Sequence, residues 1–227
     1  MKLENIVPWG RTLTEYKEIF LLTDNELKSK ILGCGDGPAS FNAEIKTLGG
    51  KVVSIDPTYA FTAEQIKSRI DEVADEVMVQ VRNKAEDFVW ENIKTPDELF
   101  KIRMNAMKTF LEDYEKGKEQ GRYRFEMLPK ISFENAQFDL ALSSHLLFLY
   151  SEHLDKSFHM QAILEMLRVA KEVRIFPIIT LEGKMSPYLD DIMMTLKEKG
   201  YTTKIVSTDY EFQKGGNEML KITKGVQ

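Results

Sequence analysis

The segment from Lys30 to Asp56 constrains the fold of this chain more than any other. Lys30-Ile31-Leu32 is a short apolar run of strand character that leads straight into Gly33-Cys34-Gly35-Asp36-Gly37. Pro38 follows where a helix begins, a place proline tolerates because a first-turn N–H has no helical partner. The spacing predicts a helix over 39–48, stopped by Gly49-Gly50. A second strand, Val52-Val53-Ser54-Ile55, then ends at Asp56-Pro57. A strand, glycine turn, helix and strand this close together make a βαβ unit, whose two strands are parallel.

The rest of the chain extends that unit. Residues 13–22 space their apolar side chains like a helix. Residues 62–121 are charged and helical in period. Thr62 with Gln65, and Thr95 with Glu98 across Pro96, have capping-box spacing, so two or three helices are expected there. Strands are predicted over 122–127, 138–142 and 173–179, with a helix near 154–170 between the last two. Ser186-Pro187 opens a further helix that ends at Gly200, and strands over 202–207 and 219–223 are joined through Gly215-Gly216. The expected fold class is α/β: a three-layer sandwich on a mostly parallel seven-stranded sheet with an antiparallel C-terminal hairpin. Residues 1–227 form one domain, with 62–121 as a helical insertion after strand two.

Composition narrows the function. The net charge of −5 argues against a nucleic-acid partner. A single cysteine, Cys34, allows no internal disulfide and no multi-cysteine metal cluster, and His145, His153 and His159 form no HExxH pair, so no metal is expected. Met1 to Pro8 has no continuous apolar core, and the run Leu140–Tyr150, broken by Ser143, Ser144 and His145, is too short to span a bilayer. The expectation is a cytoplasmic protein without a membrane partner.

Glycines between a parallel strand and a helix let backbone N–H groups approach a ligand, and an acid ending the second strand suits ribose hydroxyls. A GxGxxG pattern does not fit, because its third glycine falls at Pro38 or at Ser40. The residues instead resemble the class I S-adenosylmethionine-dependent methyltransferases, whose first motif is an acid, any residue, then Gly-x-Gly-x-Gly or Gly-x-Gly-x-Ala. The motif positions are Gly33, Gly35 and Gly37, or Gly35, Gly37 and Ala39; the second register is preferred, since it leaves one helix and one strand before Asp56. Ile131-Ser132-Phe133 and Phe138-Asp139-Leu140-Ala141-Leu142 are similar to the family's approach to strand four, and Ser143-Ser144-His145 lies where the family lines its transfer pocket.

The resemblance implies a Rossmann-like fold and S-adenosylmethionine as methyl donor, with S-adenosylhomocysteine as product. It implies cofactor contacts from Gly33, Cys34, Gly35, Gly37, Asp56, Pro57, Met127, Leu128 and Ser143. Arg11, in Pro8-Trp9-Gly10-Arg11, would pair the methionine carboxylate. The motif's acid is missing in either register, where Gly33 or Ile31 stands, and Met127 replaces the third motif's acid. These departures keep a non-catalytic binding protein of the same fold in view.

Methyl transfer needs alignment more than chemistry from the protein, since the sulfonium is already activated. His145, ending strand four, is the candidate general base for a hydroxyl acceptor; simple packing is the alternative. The insertion is the natural substrate cap, or else a homodimer contact. Its Phe88, Trp90, Phe100 and Phe110 sit at core-like helical spacing. Its ten basic and fourteen acidic residues favour a small-molecule acceptor over a polyanion.

Overall fold

A computed structural model describes residues 7–225. Strand β1 (Lys30–Cys34) pairs in parallel with β2 (Lys51–Ile55), from Lys30 opposite Lys51 to Cys34 opposite Ile55. Between them lies α2 (Phe41–Thr47), two residues shorter at its start than predicted, because Pro38 to Ser40 still belong to the turn. On its other side β1 pairs with β4 (Phe138–Ser144), and β4 pairs with β5 (Ala170–Phe176), all parallel. Strand β5 starts earlier than 173 and stops at Phe176, since Pro177 offers no N–H to the ladder.

The outer strands complete the predicted sheet. β6 (Tyr201–Ser207) and β7 (Glu218–Lys224) form the antiparallel hairpin, with β7 inserted against β5. β3 is only Tyr123–Arg124, at the opposite edge. It is shorter than 122–127 because the chain bends away where the Glu126 N–H donates to the Arg124 carbonyl at 2.8 Å. The order is β3-β2-β1-β4-β5-β7-β6, a seven-stranded mixed sheet among the described residues. Beside α2, the sheet is covered by α1 (Leu13–Phe20), α5 (Lys156–Val169) and α6 (Leu189–Glu198).

The insertion consists of two long helices, α3 (Ala63–Asn83) and α4 (Pro96–Glu119), with Thr62 and Thr95 as N-caps. Its sheet-proximal end is an aromatic cluster of Tyr59, Phe110, Tyr114 and Tyr123, whose ring centroids lie 5.0–5.9 Å apart. The Tyr114 hydroxyl donates to the Tyr59 and Phe61 carbonyls, and the Tyr59 hydroxyl to the Gly37 carbonyl at 2.7 Å. This clamps the chain after β2 against the glycine turn.

Its other end reaches the C-terminal hairpin. Phe88 stacks on Phe212 at 4.7 Å with Trp90 edge-on to both, and the Val89 N–H donates to the Phe212 carbonyl at 2.7 Å. Deeper down, Arg103 of α4 donates to Glu15 of α1 at 2.6 Å, with side chains only 1% and 9% exposed. Burial alone would raise the Glu15 pKa, but Arg103 outweighs it and holds the carboxyl at about 2. Removing one partner of such a pair strands the other charge in the interior. Arg103→Met is therefore expected to cost about 3–5 kcal/mol in urea unfolding at pH 7. That cost should shrink as pH falls toward 2, where Glu15 becomes protonated in both states. A loss under 1 kcal/mol at pH 7 would contradict the tether.

Candidate functional site

A cavity of about 430 Å³ opens beyond the C-terminal ends of β1, β2 and β4. The sheet order reverses direction between β1 and β4, so crossovers leave to opposite sides and a crevice forms there. Its floor is the glycine turn. Gly35 and Gly37 have φ of 73° and 52°, the left-handed region that residues with a Cβ avoid, and both line the cavity. The Gly37 N–H donates to Asp56 Oδ2 at 2.9 Å, while the Thr58 N–H and hydroxyl donate to Oδ1 at 2.8 and 2.6 Å. Asp56 thus faces the cavity in a fixed orientation. Burial raises its pKa, and the Thr58 and Gly37 hydrogen bonds oppose that rise. Pro57 lines the cavity beside it.

Gly33 does not line the cavity, and its significance is the side chain it lacks. A Cβ built there would fall 1.8 Å from Asp36 Oδ2. The Asp36 carboxylate therefore folds back into the space that a residue at 33 would fill. The Tyr16 hydroxyl donates to Oδ1 at 2.8 Å and the Ser54 hydroxyl to Oδ2 at 2.5 Å. Asp36 lines the cavity from this position, three residues downstream of Gly33. Burial pushes its pKa up to about 6, with Asp56 adding and the Ser54 and Tyr16 hydrogen bonds opposing.

The cavity lining also carries two guanidiniums, Arg11 and Arg103. The Ser40 N–H donates to the Arg11 carbonyl at 3.0 Å and the Leu13 N–H to Glu44 at 3.0 Å, fixing the segment before α1 across α2. Arg11 faces the cavity. One of its terminal nitrogens donates to the Trp9 carbonyl at 3.3 Å, and its Nε is buried with no partner. Arg103 lines the cavity too, and its Nε is likewise buried and unpartnered. Burial and then Arg103 lower the pKa of Arg11. The Tyr210 hydroxyl donates to Glu15 at 3.1 Å, so one buried carboxylate, Glu15, faces two guanidiniums.

His145 also lines the cavity. It lies just past β4 in the left-handed region, at φ 56°, with its N–H donating to the Phe176 carbonyl at 2.6 Å. Its Nδ1 is 2.8 Å from the Ser144 hydroxyl. Burial, then Arg11 and Arg103, lower its pKa well below the ordinary histidine value. The imidazolium that a general base must become is therefore disfavoured at this position.

Several expected contacts fall elsewhere. Ser143 is fully buried with an unpartnered hydroxyl and does not face the cavity; Ser144 does, because successive residues of a strand point to opposite faces. Cys34 packs in the core between sheet and helices, where burial drives its thiol pKa well up. Met127, half exposed, and Leu128 line the β2-side rim, and the carboxylate there is Glu126, held by the Ser132 N–H and hydroxyl. Of the insertion's aromatics, Phe88 reaches the cavity wall, Trp90 and Phe100 pack behind it, and Phe110 belongs to the sheet-proximal cluster. Tyr16, Arg103 and Tyr210 are among the polar wall residues that the sequence does not single out.

No family model matches the chain. The uncharacterized protein MJ0045 of Methanocaldococcus jannaschii is 37% identical to it over 225 residues, covering 99% of each chain. The chain belongs to the family of MJ0045. Magnesium protoporphyrin IX methyltransferase (ChlM) from Synechocystis PCC 6803, solved with bound SAM, matches with a TM-score of 0.50 at 10% identity, over 93% of this chain and 77% of that one. The mitomycin 7-O-methyltransferase MmcR also gives 0.50 at 10% identity, over 94% and 54%. The fold is that of the class I S-adenosylmethionine-dependent methyltransferases.

The Asp36 pocket yields a pH signature. A folded pKa of about 6 lies above the unfolded value, so between about pH 4 and 6 the folded state keeps a proton that the unfolded state has lost. Stability falls as pH rises through that window. Across it, wild type should lose up to about 3 kcal/mol relative to Asp36→Asn, measured by urea unfolding at pH 4, 5, 6 and 7. Parallel pH profiles for the two proteins would contradict an ionisable Asp36 in this position.

Proposed function

We propose that this protein binds S-adenosylmethionine in the cavity at the β1–β4 crevice and transfers its methyl group to a small-molecule acceptor. The observation that carries the reading is that Asp36, Asp56 and Arg11 line one cavity around the glycine turn. Asp56 would accept from the ribose hydroxyls, and Gly35 and Gly37 let the ligand lie close to the backbone. Asp36 would accept from the α-ammonium and Arg11 would pair with the α-carboxylate, which matches a zwitterion end to end. Pro57, Met127 and Leu128 would flank the adenine through apolar surface. Gly33 and Cys34 would act indirectly, the first by making room for Asp36 and the second by packing the turn from beneath.

Residues 62–121 would serve as the substrate cap within a single domain. They close the cavity from above through Val77, Val81, Phe88 and Leu99. His145 would shape the wall beside the transferred methyl. With its imidazolium disfavoured by burial and then by two guanidiniums, it suits orientation of the acceptor better than proton removal.

Calorimetric titration with S-adenosylmethionine and S-adenosylhomocysteine tests the reading. Micromolar affinity is expected, weakened at least tenfold by Asp56→Ala, a loss of about 1.4 kcal/mol or more. Because the ligand ammonium selects ionised Asp36, affinity should rise roughly tenfold from pH 5 to 7 and lose that dependence in Asp36→Asn. No binding, or binding indifferent to Asp56, would overturn the proposal. Methyl turnover with any acceptor separates an enzyme from a binding protein of the same fold.

A further inference from the structure

Beyond the residues assigned to the cofactor, the cavity has a largely apolar part, a chamber that the cofactor reading does not use. Its walls come from three separate parts of the chain. Val77, Val81 and Leu99 project from α3 and α4. Phe88 and Phe212 arrive from the two loops joined by the Val89–Phe212 hydrogen bond. Leu149 follows β4. These side chains are aliphatic or aromatic, and a stacked Phe88–Phe212 pair suits a flat ring better than a flexible polar chain.

The polar end of this chamber carries Arg103, Tyr210 and His145, next to Arg11. Arg103 spends one nitrogen on Glu15 at 2.6 Å and reaches the Tyr210 hydroxyl only at 3.4 Å. Its Nε is fully buried without a partner, and the whole side chain is 1% exposed. A buried donor on a charged group without an acceptor is costly, and a ligand that supplies the acceptor recovers the loss. Arg11 is committed to the α-carboxylate in the cofactor reading, so an acceptor anion would rest on the unpartnered donor of Arg103.

The chemistry points the same way. No buried wall residue is well placed to take a proton from an acceptor. Glu15 is locked to Arg103, and Asp56 already accepts three hydrogen bonds. Asp36 lies on the cofactor side, and His145 is disfavoured as imidazolium. Glu126 is held by Ser132 and Arg124 at the β2-side rim, and Asp87, on the α3–α4 loop, sits at the exposed rim. A nucleophile that arrives already ionised needs none of them. When a carboxylate oxygen attacks the sulfonium methyl, an O–C bond forms and the C–S bond breaks with its electron pair going to sulfur. A neutral ester and S-adenosylhomocysteine result, and no proton moves.

We infer that the acceptor is a flat apolar carboxylic acid, bound as its anion with the ring in the Phe88–Phe212 chamber and the carboxylate at Arg103. This rests on the methyl-transfer reading for its reaction, but the chamber's preference for an anion is testable by itself. The probes are 2-naphthoate and 2-naphthamide, which share a ring system and differ in charge. Each is titrated by calorimetry into the full-length protein, alone and saturated with S-adenosylhomocysteine. Naphthoate is expected to bind at least tenfold more tightly than naphthamide in both states. Val77→Phe, which narrows the chamber, should weaken naphthoate at least tenfold while S-adenosylhomocysteine affinity stays within twofold.

Equal affinity for the two probes in wild type would overturn the inference, and that comparison needs no variant to fold. Competition between naphthoate and S-adenosylhomocysteine would overturn it as well, since one site would then serve both. If S-adenosylhomocysteine fails to bind while naphthoate binds preferentially and responds to Val77→Phe, the cofactor reading falls and the anion-selective chamber stands.

Discussion

The site depends on one packing decision, the burial of the Asp36 carboxylate in the space left by the absent side chain of Gly33. A carboxylate taken out of water must be hydrogen-bonded or it reverts to its neutral form. Tyr16 and Ser54 supply those bonds from α1 and β2, so Asp36 draws three elements together at the end of the sheet. The cost appears as a pKa of about 6. Any side chain at position 33 would expel the carboxylate, and with it the anionic half of the cavity.

The cationic half is built differently. Glu15 and Arg103 are far apart in sequence and meet in the interior, fastening the helical insertion to α1. Arg11 reaches the same region from the segment before α1 and forms no ion pair of its own among the described residues. Asp36 and Asp56 together with Arg11 and Arg103 give one cavity groups of both signs. Aromatic stacking between Phe88 and Phe212 then roofs the apolar remainder.

Much of this was legible in the sequence. The βαβ unit followed from Lys30 to Asp56, and the capping pairs at Thr62 and Thr95 placed the insertion's helices. Element ends were less so, as at β3, where a bend after Arg124 cut the strand short. Within the site, Gly35, Gly37 and Asp56 were readable because their roles are local. Ser143 and Ser144 are not distinguishable in the sequence, because β4 is buried on both faces, which erases the alternation that would tell them apart. The placement of Asp36 is not legible, because a motif is read position by position, whereas its carboxylate occupies the space of a side chain at position 33. The Glu15–Arg103 contact left no local pattern, since 88 residues separate the two.

The most direct test of the account is a crystal structure of the protein with S-adenosylhomocysteine bound. The account predicts the α-ammonium within about 3 Å of the Asp36 carboxylate, the ribose hydroxyls on Asp56, and the α-carboxylate on Arg11. A ligand bound with its amino-acid end turned away from Asp36, or seated outside the β1–β4 crevice, would contradict it.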